Sequence, residues 1–160
     1  MIPDVVTLAK PIASGLPMGA CLCSAPLADT FAKGEHGSTF AGGPLVCRGA
    51  LVFLDEIERG LLGNVRDRGA ELRAGLEALQ REFPIVREVR GRGLMLGLRL
   101  HHSADLVQKA LYKNGLIVNC TATDVLRIVP PYVLTAAQVQ DALSVFRKTL
   151  ASLPATKEKQ

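Results

Sequence analysis

Apolar and polar positions change their period along this chain, and the change divides it. Between residues 61 and 83, Leu61, Leu62, Val65, Leu72, Leu76, Leu79 and Phe83 fall three, four or seven apart. Arg66, Asp67, Arg68, Glu71, Arg73, Glu77 and Gln80 fill the positions between them. That spacing predicts an amphipathic helix of roughly 20 residues, with one apolar stripe and one charged face. Pro84 stops it, because proline has no N–H and clashes with the preceding turn. Residues 86–90 and 94–100 read as strands joined at Gly91-Arg92-Gly93. Residues 104–114 read as a helix closed by Gly115. Residues 116–119 and 125–129 read as two more strands. Thr135-Ala136-Ala137-Gln138 is a capping box that opens a last helix, running to about residue 153. The order helix, two strands, helix, two strands, helix predicts a small α+β layer, a sheet with helices on one face.

The first part of the chain is patterned differently. Residues 5–9 form a short apolar strand and residues 18–23 a second, nearly charge-free one, both read as buried. A loop punctuated by proline and glycine joins them over residues 10–17. Ser24-Ala25-Pro26 reads as the start of a helix to about residue 31, with proline tolerated in the first turn. Residues 33–43 are a glycine-rich loop, and Pro44 opens a helix over residues 45–58. Residues 1–54 carry only six charged side chains: Asp4, Lys10, Asp29, Lys33, Glu35 and Arg48. A segment so poor in charge is written for burial on most sides, yet is too short to bury itself. It is expected to pack against further protein. The expected organisation is residues 1–58, the end of a larger α/β unit; residues 59–153, the α+β layer; and a fraying tail over residues 154–160.

Composition narrows the function classes. The chain has 160 residues, 48% of them hydrophobic, enough for a real core. Its net charge is +4. The densest basic cluster, Arg87, Arg90, Arg92 and Arg99, alternates with Val89, Leu94, Leu96 and Leu98, which reads as the solvated face of a strand pair. Nucleic-acid binding wants a basic face with stacking aromatics. Aromatics are 4% of the chain and none lies in that cluster, so nucleic acid is set aside. No apolar run reaches the ~18 residues of a membrane span, and no secretory signal opens the chain. Cys21, Cys23, Cys47 and Cys120 form no C-x-x-C pair and read as small buried residues in a reducing cytoplasm. His36, His101 and His102 lack zinc-ligand spacing, so no metal is expected.

Three features carry candidate chemistry. Lys10 ends the apolar run Asp4-Val5-Val6-Thr7-Leu8-Ala9. A lysine amine is a nucleophile only when deprotonated, which burial favours, and its use would be a Schiff base with an aldehyde. The loop Gly37-Ser38-Thr39-Phe40-Ala41-Gly42-Gly43-Pro44 places hydroxyls and glycine amides before a helix, an arrangement suited to phosphate or simply to a flexible N-cap. Arg127 interrupts the apolar strand Val125-Leu126-Arg127-Ile128-Val129. A guanidinium there calls for a carboxylate, either a structural Asp or Glu or that of a substrate.

In this order the three resemble one family. Thr7-Leu8-Ala9-Lys10 with Gly15-Leu16-Pro17-Met18-Gly19-Ala20 resembles the cofactor-lysine segment of the class III pyridoxal-phosphate aminotransferases. His36 through Leu45 resembles that family's phosphate-contacting loop. Val89-Arg90-Gly91-Arg92-Gly93-Leu94-Met95-Leu96-Gly97 and Leu126-Arg127-Ile128-Val129-Pro130-Pro131 resemble its C-terminal domain. The acetylornithine aminotransferase group is most similar in flavour. The resemblance implies an α/β fold, the C-terminal part of a fold type I transferase: a remnant of the large domain plus the small α+β domain. It implies pyridoxal 5'-phosphate as cofactor. Lys10 would hold it covalently and move the substrate's Cα proton. Thr39 would contact the phosphate, usually that of the neighbouring subunit of a homodimer. Ser38 would touch the substrate's distal acyl group, and Arg127 would pair with its α-carboxylate. The implied reaction is amino transfer from an ω-amino or acylated basic amino acid to 2-oxoglutarate.

The chain departs from the family at particular residues. Pro11 follows the lysine where the family generally has a small residue. Gly43 stands where asparagine is usual. Asp4 is about 20 Å from Lys10 along an extended strand, too far to serve as the carboxylate on the pyridine nitrogen. Asp55-Glu56-Ile57-Glu58 lies at a helix end and does not serve either. The expectation is therefore an incomplete site, completed by an N-terminal half or a second subunit, in a chain inactive alone. The alternative is a non-catalytic assembly fragment that docks on a full-length relative.

Overall fold

The fold is described here from a computed structural model covering residues 2–153. The chain divides into two units, residues 1–60 and 61–160.

The first unit is built around a hairpin. Strand β1 (Val5–Leu8) pairs antiparallel with β2 (Ala20–Cys23), Val5 opposite Cys23 and Leu8 opposite Ala20. A 3₁₀ turn, Lys10–Ala13, follows β1. Helix α1 (Pro44–Glu56) has proline in its first turn, where the missing N–H costs nothing. A π turn over Ile57–Leu61 then breaks the helical path at Gly60, which takes φ 109°. Among the described residues of this unit, Ala13 and Ala50 are the buried apolar ones. Val5, Val6, Leu8, Leu22, Phe31 and Phe40 all stay exposed.

Three expectations change here. Both strands are expected to be buried, yet all four residues of β1 are exposed and no residue of β2 is buried, because the two strands pair only with each other. The cysteines were read as buried; Cys21 and Cys23 are exposed on β2 and Cys47 and Cys120 half-buried, all as free thiols. The helix expected over residues 24–31 is one 3₁₀ turn, Ala25–Leu27. Thr30 donates through both its amide and its hydroxyl to the Leu27 carbonyl, which ends the turn locally.

The second unit has a true core. Helix α2 (Leu62–Glu82) buries Leu72, Leu76 and Leu79 on one face, as its period requires. Strands β3 (Val86–Arg92), β4 (Met95–Leu100), β5 (Asn119–Thr121) and β6 (Val125–Ile128) form an antiparallel sheet in the order β3-β4-β6-β5. Val89, Leu98 and Leu126 stand opposite one another and enter the core with Val107 and Leu111 of α3 (Asp105–Lys113) and Val139, Leu143, Phe146 and Leu150 of α4 (Ala136–Ser152). Each such side chain contributes about 1.5–3 kcal/mol on burial. Strand β5 begins later than expected. Leu116 donates back to the Leu111 carbonyl to close α3, so the chain needs further residues to reach the sheet.

Local chemistry sets the ends of the elements. Thr135 Oγ1 accepts from the Gln138 amide and Gln138 Oε1 accepts from the Thr135 amide, closing the expected capping box on α4. The buried Thr149 hydroxyl accepts from Asn114 at the end of α3, tying the two helices together. Arg99 on β4 donates through Nε to Asp124 at 2.7 Å, fastening the β5–β6 turn to the sheet. Among the described residues, no helix is long and apolar enough to cross a membrane.

Two predictions follow from this packing. A Cβ at Gly69 of α2 would stand 2.6 Å from the Gly93 carbonyl oxygen in the β3–β4 turn, whereas one at Gly63 meets nothing within 4 Å. Gly69→Ala is expected to lose about 1–3 kcal/mol through overpacking. Gly63→Ala is expected to gain roughly 0.5–1 kcal/mol through helix propensity. Urea unfolding of both variants checks the opposite signs. The second concerns acid. The hydrogen bond from Arg99 holds the Asp124 carboxyl below its ordinary range. The pair's contribution is therefore present above an unfolded aspartate's value, about 3.9, and is lost as pH falls through the lower folded value. Urea midpoints measured on descending from about pH 5 to pH 2 should fall less steeply in Arg99→Gln than in the parent.

Candidate functional site

Lys10 is placed by backbone geometry. Ala9 is extended, with φ −157°, and Lys10 then turns to φ 62°. A left-handed lysine is unfavourable, and such outliers cluster where function constrains the chain. Pro11 follows with its fixed φ, Ser14 donates to the Pro11 carbonyl at 2.9 Å, and Leu16 to the Ala13 carbonyl at 3.1 Å. Ala13 is fully buried. Helix α1 seals it, since a Cβ at Gly49 would lie 3.1 Å from the Ala13 oxygen. The turn is thus anchored behind Lys10 while the lysine side chain faces out. The expectation of a buried lysine is corrected for the same reason as for β1: nothing in this unit covers it. Among the described residues its amine has no hydrogen-bond or ion-pair partner.

The loop before α1 is equally open. Ser38, Thr39 and Phe40 are exposed, and Ala41 donates to the Ser38 carbonyl at 3.2 Å. No side chain caps α1. Free N–H groups at a helix start, preceded by two hydroxyls, can take an anion such as phosphate. Lys10 and the Ser38–Thr39 pair share this unit, and no hydrogen bond joins them among the described residues.

Arg127 belongs to the second unit. It sits on β6 opposite Gly97 of β4 and Asn119 of β5, on the exposed face. Among the described residues no Asp or Glu pairs with it. Of the two partners that its sequence context allows, the structural carboxylate is therefore not found. Its neighbour Arg99 does have one, Asp124.

The donor set bears on pyridoxal 5'-phosphate directly. A primary amine and a hydroxyl-bearing loop at an uncapped helix start fit an aldehyde and a phosphate. Asp4 stands at the far end of β1, its carbonyl accepting from Ser24, so it does not approach Lys10. Asp55 and Glu56 close α1, and Glu56 pairs with Arg59. The residues here thus fit part of the group. Arg90, exposed as its alternation predicts, lies in the same cross-strand row as Arg127. Alternation marked it as solvated, and only strand register reveals its neighbour.

Comparison with known proteins bears on the family. The family model described as aminotransferase class-III matches residues 1–150. Acetylornithine aminotransferase 1 of Bordetella pertussis is 44% identical over 144 residues, which cover 89% of this chain and 37% of that protein. Acetylornithine aminotransferase of Aquifex aeolicus is 45% identical over 149 residues, 92% of this chain and 38% of that protein. The crystal structure of acetylornithine aminotransferase from Elizabethkingia anophelis superposes with a TM-score of 0.90 at 30% identity, over 96% of this chain and 40% of that one. The chain therefore spans well under half the length of these relatives. With a matched family model over nearly its whole length, and with an aminotransferase fold, the chain belongs to the class III aminotransferases.

Proposed function

We propose that this chain carries the reactive lysine of a pyridoxal-phosphate-dependent transaminase. It would move an amino group from an acylated basic or ω-amino acid, acetylornithine-like, to 2-oxoglutarate in the cytoplasm. The observation that carries the reading is Lys10: left-handed, without a partner among the described residues and held out by a buried turn at the end of β1. When bound, the cofactor supplies an electron sink. The protein's residues do the rest. Lys10 Nζ would hold the cofactor at its aldehyde and, once displaced by the substrate's amine, would take and return the Cα proton. Thr39 would donate its hydroxyl to the phosphate, and Ser38 would orient the distal acyl group. Arg127 fixes the α-carboxylate with its planar fork. Residues 1–58 act as the end of the large cofactor domain and residues 59–153 as the small domain. The carboxylate for the pyridine nitrogen comes from a complementing segment or a second subunit.

A second reading has its own support. Val5, Leu8, Leu22, Phe31 and Phe40 leave apolar surface uncovered on the first unit. Such a surface suits a fragment that assembles with a full-length relative.

Both readings are testable. Pyridoxal phosphate added to the full chain, alone and with a co-expressed N-terminal segment, should give a visible absorbance band that Lys10→Ala abolishes. A band that survives Lys10→Ala would overturn the assignment of the lysine. In the assembled enzyme, Lys10→Ala should lower kcat by at least about 10²-fold, since a general acid–base group typically contributes 10²–10⁴. For assembly, amides of β1 and β2 should exchange with solvent far faster than those of β4 in the chain alone, and slow down on adding the partner. Uniformly strong protection of β1 and β2 in a monomer would contradict the assembly reading.

A further inference from the structure

Phe31 and His36 stack in the loop that leads to Ser38 and Thr39. Their ring centroids are 5.5 Å apart and their planes are inclined by 26°, inside the range of an offset aromatic pair. A tight turn between them makes the contact possible. The Glu35 amide donates to the Ala32 carbonyl at 3.1 Å, and the Ala32 amide donates to Glu35 Oε2 at 2.7 Å. Gly34, third of the four turn residues, takes φ 94°, where glycine is favoured. The chain thus reverses over residues 32–35 and brings the ring after the turn onto the ring before it.

His36 is held by that ring contact. Among the described residues its imidazole makes no hydrogen bond and no ion pair, and it meets Phe31 through its face. The carboxylate next to it in sequence, Glu35, is turned back on the Ala32 amide. Downstream, Gly37 alone separates His36 from Ser38. No hydrogen bond holds Gly37 among the described residues, and the next tie along the chain is the Ala41 amide on the Ser38 carbonyl. Helix α1 then begins at Pro44. Ser38 and Thr39 therefore lie between two restraints, the ring pair on one side and α1 on the other. Without the ring pair, the start of the loop would hang on a glycine, which leaves the backbone its widest choice of angles.

We propose that His36 is a positioning residue: stacked on Phe31 across the turn, it fixes the start of the loop and readies the Thr39 hydroxyl for the cofactor phosphate. The proposal rests on the reading of Thr39 as the phosphate contact. A hydroxyl held in place before its ligand arrives loses less freedom on binding. Because the contact is made by the ring face, another flat ring should serve in place of the imidazole.

The test compares the affinity of the full chain for pyridoxal phosphate with that for pyridoxal. Both probes offer Lys10 the same aldehyde, so the ratio of their Kd values isolates the phosphate. The parent should favour pyridoxal phosphate, and Thr39→Val should lower that preference. His36→Ala and Phe31→Ala should each lower it about two- to tenfold, the scale of one aromatic pair. The double variant should do no worse than either single one, and His36→Phe should retain the parent's ratio. In ¹⁵N-labelled chain, the amides of Gly37, Ser38 and Thr39 should lose order in His36→Ala and keep it in His36→Phe. Suppose instead that the parent prefers pyridoxal phosphate and His36→Ala keeps the full preference. The proposal then fails and the reading of Thr39 stands. A parent, or a Thr39→Val variant, that does not bear out the phosphate contact sinks both. Equal weakening of the two probes in His36→Ala, or a loss there that Phe31→Ala does not share, would also overturn the positioning role.

Discussion

Leu98 has no exposed surface, and the register of β4 keeps it so. β4 is paired on both sides, to β3 and to β6. Its alternation sends Leu96, Leu98 and Leu100 into the core and leaves Gly97 and Arg99 on the opposite face. A slip of one residue would bury Arg99 and expose three leucines, since side chains alternate with period two. At about 1.5–3 kcal/mol for each leucine, such a slip is strongly disfavoured. Everything on the open face inherits that register. Arg127 stands opposite Gly97, and Arg99 meets Asp124, because the core side of the same strands admits no other alignment.

The first unit is held by different physics. Its buried apolar side chains are alanines, Ala13 and Ala50, which contribute little area. Its order comes from backbone hydrogen bonds in the β1–β2 hairpin and from α1 lying close on the turn that follows Lys10. Proline after the lysine limits the turn's freedom in the unfolded chain as well as the folded one. A left-handed residue without that restraint would relax. The unit therefore fixes the backbone at Lys10 while leaving its side chain free, which is what a covalent attachment residue needs.

How much was legible in the sequence follows from this contrast. The capping box at Thr135 and the stripe of α2 were readable because both are local: the partners lie three or four residues apart. Lys10, Ser38 and Thr39 are singled out as a set only by family resemblance; the structure places Lys10 in the turn after β1 and the other two in the loop before α1. Burial of β1, β2, Cys21 and Cys23 was misread because an apolar strand is buried only when something covers it, and periodicity carries no information about the cover. The segment over residues 24–31 was misread because Thr30 competes for the Leu27 carbonyl. Arg90 reads as solvated from its alternation with Val89 and is exposed, but that it shares a cross-strand row with Arg127 was not legible. Register is a property of pairs of strands, and no window along one strand contains it.

The two units also divide the proposed chemistry by the kind of order each step requires. Covalent attachment tolerates a mobile lysine, since bond formation itself supplies the positional restraint. Recognition of a carboxylate does not, because a planar fork gives its full strength only when distance and plane are both held. Arg127, proposed to bind a carboxylate, accordingly lies on a paired strand above a leucine core, and Lys10, proposed as the nucleophile, on a turn at the end of an uncovered hairpin. For any group that Lys10 holds, the limiting requirement is then the cover over β1 and β2. In the proposed assembly that cover would be apolar enough to meet Val5, Leu8 and Leu22 and would bring its own carboxylate, because Asp4 stands at the far end of the strand.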